Sequence, residues 1–300
     1  MFSLDTPLRE FFASFYIPTR LVGRSKSNIA QYEIQFRHFQ RFLCHEPLLS
    51  DLTDETVSRF MGWFLDQGRA AATVNKARNH LVALWTAAAR KRIVHEFPEV
   101  AEIPEPERIP EAWSLPQLQK LLQACAETPG MIGKVRACLF WTAIHHVWWD
   151  TGERTGATLD LLFDHFDFDG RWLSVPASVR KGRRKPMLYR LRTATCHHVR
   201  ALQLPGRNVV FEWPATGERF WTAYGKLLKR AGLPNRRKDK PQKMRVSFAS
   251  HLEANGGNAT AALSHTSRRV TQESYLDPRI IKKRAACDRL PPLDQPDKAG

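Results

Sequence analysis

Residues 97–110 read Phe97-Pro98-Glu99-Val100-Ala101-Glu102-Ile103-Pro104-Glu105-Pro106-Glu107-Arg108-Ile109-Pro110, with four prolines in the thirteen residues 98–110. Each proline fixes its own φ, removes a backbone donor and pushes the residue before it toward extended geometry, so no regular helix can cross this stretch. It reads as an extended, semi-stiff tether between two segments of different character. A chain of 300 residues has enough material for two cores. The expected organisation is a helical domain over 1–97, a linker over 98–110, a second domain over 111–290 and a disordered tail over 291–300.

In the first segment, Ile29, Tyr32, Phe36, Phe39 and Leu43 recur at helical spacing and predict an amphipathic helix. Val74, Ala77, Leu81, Leu84, Trp85 and Ala88 predict another, ending in Arg90-Lys91-Arg92, where cations favour the negative end of the helix dipole. A shorter helix over 54–67 precedes Gly68. In the second segment, Ser114 with Gln117 three residues on is a capping-box pattern. The apolar stretch 131–149 contains Lys134, Arg136, His145 and His146, which predicts a buried helix rather than a membrane span. Asp169-Gly170 marks a hairpin turn, with strands over 171–176 and 187–191 on either side of a basic tip. Helices resume near 193, the clearest over 217–231 and 241–254. The expected fold class is mainly α with a small antiparallel sheet in the second domain.

Lysine and arginine total 46 against 30 acids, a formal charge of +16, so a large polyanion bound by counterion release is the expected partner. Cys44, Cys125, Cys138, Cys196 and Cys287 are odd in number and lack zinc-ligand spacing, which predicts buried, reduced thiols in a cytosolic protein. His145-His146 and His197-His198 are neighbours whose side chains diverge by about 100° on a helix, so no shared metal is expected. Asp5 and Glu10 stand where a signal peptide would need a basic start and an apolar run. A soluble, cytoplasmic protein without metal or cofactor is the expectation.

The chemistry concentrates near the C-terminus: Gln242-Lys243-Met244-Arg245, then Leu263-Ser264-His265, then Thr271-Gln272-Glu273-Ser274-Tyr275. Upstream, Thr151-Gly152-Glu153-Arg154 supplies a second arginine, and Val179-Arg180-Lys181-Gly182-Arg183-Arg184-Lys185 a basic hairpin tip. A phosphodiester is broken without a metal only if fixed cations meet the charge that builds on its non-bridging oxygens. Arginine suits this, because its planar fork engages two oxygens and keeps its proton. On the helix over 241–254, Met244, Phe248 and Leu252 form the buried stripe, which places Arg245 at the core's border with solvent.

Two arginines, a lysine, a histidine and a tyrosine in this order resemble the active site of the tyrosine recombinases, the phage-integrase family. Thr151-Gly152-Glu153-Arg154 fits the family pattern Thr-Gly-x-Arg. Met244-Arg245-Val246-Ser247-Phe248-Ala249-Ser250-His251-Leu252 resembles its segment Leu-Arg-His-Thr-Phe-Ala-Thr-His-Leu, and Leu263-Ser264-His265-Thr266-Ser267 its turn Leu-Gly-His-Ser-Ser. The resemblance covers essentially the whole chain. It implies a helical core-binding domain over 1–97 and an α+β catalytic domain over 111–290, clamping duplex DNA between them. It makes Tyr275 the nucleophile, Arg154 and Arg245 the phosphate clamps, His265 a donor to a non-bridging oxygen and Lys181 the general acid for the leaving 5′ oxygen. Arg180, Arg183, Arg184, Lys185, Lys243, Lys76 and Arg78 are the expected DNA contacts.

Four positions depart from the pattern. Gln242 stands where the family has a histidine able to accept the nucleophile's proton, help typically worth ~10²–10⁴-fold. Ala157 replaces an acid three residues after the first arginine, Ser264 replaces a glycine, and Arg180 replaces the first glycine of a Gly-Lys-Gly-like tip. The resemblance implies a site-specific recombinase of a bacterium or mobile element, nucleoid-associated, that breaks and rejoins DNA through a 3′-phosphotyrosine. It also implies a tetramer on DNA, with Arg279 to Arg289 as an exchanged helix, and accessory DNA-bending proteins. The alternatives are a catalytically silent DNA-binding relative, a type IB topoisomerase, and a non-enzymatic basic helical protein, which leaves the ordered constellation unexplained.

Overall fold

A computed structural model of the chain describes residues 2–180 and 185–281. The tail expected over 291–300, Cys287, most of the helix expected from Arg279 to Arg289, and Lys181, Arg183 and Arg184 of the hairpin tip lie outside the described residues. The chain divides into two units, Met1–Glu107 and Arg108–Gly300.

Among the described residues, the regular elements of the first unit are all helices. Short helices α1 (Leu8–Phe11) and α2 (Ile17–Arg20) flank a wider turn over Phe12–Tyr16. Helix α3 (Lys26–Leu43) starts where the Ser25 hydroxyl accepts the Asn28 N–H. Helix α4 (Asp54–Asp66) is capped in the same way by Thr53, with Asp54 and Glu55 at the positive end of its dipole. Helix α5 (Ala71–Arg90) completes the set. Phe12, Phe36, Phe39, Phe60, Leu81, Leu84 and Trp85 meet in one aromatic-rich core, while Ile29 of the predicted stripe is only half-buried.

The Pro/Glu-rich stretch has no regular secondary structure, but its first part is strapped to this unit. Asn75 brackets Ile103: its Oδ1 accepts the Ile103 N–H (2.9 Å) and its Nδ2 donates to the Ile103 carbonyl (2.8 Å). The Arg78 guanidinium donates to the Val100 carbonyl (2.9 Å from Nε), and the Glu99 N–H donates to Asp54 Oδ1 (2.9 Å). Val100 is buried in the helical core. Side chains of α4 and α5 supply the partners that the prolines deny the backbone, so the free tether read over 98–110 is shorter than its composition suggests.

In the second unit, helix α6 (Leu115–Ala126) opens with the predicted reciprocal capping of Ser114 and Gln117. The helix expected over 131–149 starts later. A tight hairpin of β1 (Met131–Ile132) and β2 (Val135–Arg136) comes first, turning at Gly133 with φ +57°, and helix α7 spans Ala137–Thr151. Helix α8 (Thr155–Leu159) follows. Strands β3 (Phe166–Asp167), β4 (Trp172–Val175) and β5 (Met187–Arg190) form an antiparallel sheet in that order, with Leu173 opposite Tyr189. At the β3–β4 turn the left-handed residue is Arg171 (φ 58°). Gly170 serves a different need there, since a Cβ would lie 2.2 Å from Asp167 Oδ2.

Helices α9 (Thr193–Arg200), α10 (Gly217–Arg230) and α11 (Gln242–Ala254) follow. Three short helices complete the described chain: α12 (Ala259–Ala262), α13 (Arg268–Tyr275) and α14 (Pro278–Ile281). Helix α7 is the central post. Phe140, Trp141, Ile144 and Trp148 pack with Leu121 of α6, Leu173 of β4 and Tyr224 of α10. Among the described residues the fold is mainly α with two small antiparallel sheets. His145 lies inside this core between the Trp141 carbonyl (2.6 Å) and the Tyr224 hydroxyl (3.3 Å), and burial pushes its pKa down to about 4. Of the described cysteines, Cys125 and Cys196 are buried, but Cys44 is exposed in the left-handed cap of α3 (φ 64°), contrary to the expectation of buried thiols. No helix among the described residues is long and apolar enough to cross a membrane.

Candidate active site

The site is assembled around the end of α7. Gly152 closes that helix with φ +61°, and a Cβ there would lie 2.3 Å from Phe248 Cδ1 and 2.9 Å from Leu263 Cδ2. Only glycine allows the turn to approach α11 this closely. The approach brings the Gly152 carbonyl to 2.6 Å from Arg245 Nη1. Arg245 Nη2 donates to the Leu263 carbonyl (3.1 Å) and to His265 Nε2 (3.2 Å), and its guanidinium carbon lies 5.5 Å from the centre of the Tyr275 ring. Its Nε is buried without a partner among the described residues. Arg245 is 1% exposed, so it does not sit at the solvent border predicted for it. Helices α7, α12, α13 and α14 all pack against α11. Burial first, and the charge of Arg154 second, lower the pKa of Arg245, which as a guanidinium still keeps its proton.

Arg154 stands at the start of α8, half-buried, and its guanidinium has no hydrogen-bond or ion-pair partner among the described residues. Its charge is felt by both Arg245 and His265. Where the resembling motif has an acid, Ala157 is a buried apolar residue. An acid is nonetheless present: buried Glu153 accepts the Arg154 N–H on Oε2 (3.1 Å).

His265 follows Ser264, which adopts φ +53°, the left-handed region where the resembling turn has glycine. With Arg245 donating to Nε2, the ring proton belongs on Nδ1, which donates to Thr271 Oγ1 (3.0 Å). Burial foremost, then Arg245 and Arg154, push the His265 pKa down to about 4, so the ring is neutral at pH 7. It lies 4.6 Å from the Tyr275 ring, centre to centre.

Tyr275 ends α13, with Gln242 Nε2 donating to its hydroxyl (3.3 Å). Its main chain is pinned to α11: the Ser250 hydroxyl donates to the Tyr275 carbonyl (3.0 Å) and accepts the Asp277 N–H (2.8 Å). The buried Asp277 carboxylate accepts the Ala112 N–H (2.7 Å). Arg154, Gln242, Arg245, His265 and Tyr275 therefore share one site.

The expected DNA contacts fare differently. Arg180 is 7% exposed, with Nε on Glu153 Oε1 (2.7 Å) and Nη1 on the Lys185 carbonyl (3.0 Å), so it is not a surface cation. Lys243 is 5% exposed, 3.0 Å from Asp239 Oδ1 and 3.8 Å above the Trp113 ring, and equally unavailable. Arg78 is committed to the strap at Val100. Arg180 and Arg78 each lie against an acceptor from a distant segment, and Lys243 lies over the distant Trp113 ring, contacts that residue type cannot announce. Lys76 and Lys185 are exposed, and Lys181, Arg183 and Arg184 are outside the described residues. Sequence reasoning missed Glu153, Ser250, Thr271 and Asp277. The one available signal was an acid wedged between a glycine turn and an arginine.

Residues 8–102 match the model of the phage integrase SAM-like domain. The sequence matches no curated protein. Among solved structures, the chain is similar to the Tn1549 transposon integrase in complex with a circular intermediate DNA (TM-score 0.70, 14% identity, 95% of this chain and 98% of that one). It is also similar to a lambda integrase dimer bound to a COC′ core site (TM-score 0.66, 16% identity, 87% of this chain and 96% of that one). A lambda integrase tetramer bound to a Holliday junction matches with TM-score 0.68 and 16% identity over 98% of this chain and 81% of that one. The fold is thus the integrase fold of DNA recombinases. The family model covers the N-terminal third of the chain, and the solved structures show the fold.

Proposed function

We propose that this chain is a site-specific DNA recombinase that cleaves and rejoins duplex DNA through Tyr275. The observation that carries this reading is the pairing of two incompletely satisfied arginines with a tyrosine hydroxyl. The Arg154 guanidinium has no partner among the described residues, Arg245 Nε is buried without one, and Tyr275 lies beside Arg245. Two such cations suit the non-bridging oxygens of one phosphate. In the proposed step, Tyr275 Oη attacks phosphorus, an Oη–P bond forms and the bond to the 5′ oxygen breaks. The phenolic proton passes to solvent or another base, since Gln242 can donate to the forming phenolate but cannot take the proton. Lys181 is proposed to return a proton to the departing 5′ oxygen. Rejoining is the reverse, with the 5′ hydroxyl attacking the phosphotyrosine, so bond energy is conserved.

The DNA-bound integrases of the same fold support a duplex partner, and the tetrameric lambda integrase on a Holliday junction supports assembly as a tetramer on DNA. Accessory DNA-bending proteins, a bacterial cytoplasmic setting and membership of a mobile element belong to this proposal. Gln242 favours a second reading, a relative that binds DNA with little or no cleavage. The test is a covalent trap: wild type and Tyr275→Phe are expressed, the cells are denatured, and DNA still attached to protein is sequenced. Adducts at discrete sites that require Tyr275 are expected. Scattered adducts would indicate a type IB topoisomerase, and DNA binding without adducts would indicate the silent relative.

A further inference from the structure

Glu153 is 3% exposed, and a buried carboxylate persists only where donors compensate its lost hydration. Three converge on it. The Arg154 N–H reaches Oε2 (3.1 Å), while Arg180 Nε (2.7 Å) and the Tyr189 hydroxyl (2.8 Å) reach Oε1. One side chain thus joins the turn that opens α8, the residue Arg180 and strand β5. Arg180 extends the link through Nη1 to the Lys185 carbonyl (3.0 Å). Buried ion pairs can often be replaced by apolar side chains without loss of stability, so packing alone does not call for this one. Its distinctive product is geometric. It fixes the backbone of Arg154, whose guanidinium has no partner among the described residues, and sets a negative charge beside two crowded cations.

We propose that Glu153, clamped by Arg180 and Tyr189, is a positioning residue that fixes the direction from which the Arg154 guanidinium meets a phosphate. The phosphate in this statement rests on the recombinase reading; the clamp on Arg154 does not. Arg180, at a position where the resembling motif has glycine, and Ala157, where it has an acid, then belong to one rearrangement in which support for the arginine comes from Glu153.

Two readouts separate the clamp from the reading beneath it. Phenylglyoxal labelling of Arg154, followed by peptide mass spectrometry, needs no catalysis. Glu153→Gln and Arg180→Met are expected to change its labelling rate severalfold while exposed Arg59 labels as in wild type. Unchanged Arg154 labelling in folded variants would overturn the proposal. On DNA recovered through Tyr275, Glu153→Gln is expected to slow adduct formation ~10–10²-fold, the scale of a misplaced reacting group, with DNA affinity unchanged. In an Arg154→Ala background the same change should add nothing, whereas a full additional loss would show that Glu153 does not act through Arg154. If single variants do not fold, Glu153→Met with Arg180→Leu removes both charges together, and normal Arg154 labelling in that protein would equally overturn the clamp. Altered labelling in a chain that forms no Tyr275 adduct would keep the clamp and sink the recombinase reading.

Discussion

Gly152 carries two constraints at one position, a positive φ and a wall formed by Phe248 and Leu263. Gly152→Ala is predicted to cost about 2–4 kcal/mol, combining the left-handed penalty with overpacking. Denaturant unfolding measures this, and an unchanged midpoint would contradict the close approach that delivers the Gly152 carbonyl to Arg245. Ser264 presents the opposite case, a residue with a side chain held at φ +53°. Ser264→Gly is predicted to stabilise by about 0.5–1 kcal/mol as the left-handed strain is relieved, net of glycine's greater freedom when unfolded. A loss of stability on that change would show that the serine side chain earns its place. At Gln242 the amide donates to the Tyr275 hydroxyl and offers no base. Gln242→His is predicted to raise the single-turnover rate of adduct formation toward the ~10²–10⁴-fold typical of a positioned base. A rate no higher than wild type would mean that the proton already has another acceptor.

At the scale of elements, the most instructive piece is one without secondary structure. The stretch beyond α5 is held by side chains rather than by a ladder, and Asn75 satisfies both backbone groups of Ile103. Asn75→Ala is predicted to cost about 1–3 kcal/mol and to speed hydrogen exchange at the Ile103 amide. Unaltered protection of that amide would refute the strap. The stretch was legible as non-helical because proline acts locally, but its attachment was not, because Asn75 lies 28 residues away. Helix α11 teaches the same lesson from the other side. Its span was readable, whereas the burial of Arg245 depends on other segments packing against the helix.

For the whole molecule, pH acts through groups that folding holds away from their ordinary ionisation. Burial is the leading cause for His145, His146 and His265, each with a pKa pushed down to about 4. Between the unfolded value near 6.5 and about 4, the unfolded chain binds protons that the folded one refuses, so stability is full above that window and falls as pH drops through it. Asp239 adds a second, more acidic phase. Burial pushes its pKa up, but hydrogen bonds from Arg236 and Lys243 hold it down at about 2, so its contribution is lost as pH falls from near 4 toward 2. Urea titrations across pH 3 to 8 test this prediction. A flat stability between pH 6.5 and 4 would show that these histidines are protonated in the folded state.

Some of this protein was settled by the order of its residues alone. Helical periodicity, the Ser114–Gln117 cap, the proline-rich break and the succession of arginine, histidine and tyrosine are all short-range or ordinal patterns, and such patterns are written along the chain. Tertiary structure decided which cations face inward. Arg180 met Glu153 across 27 residues, and Lys243 lies over Trp113, because a charge leaves water only when a partner from elsewhere in the fold replaces its hydration.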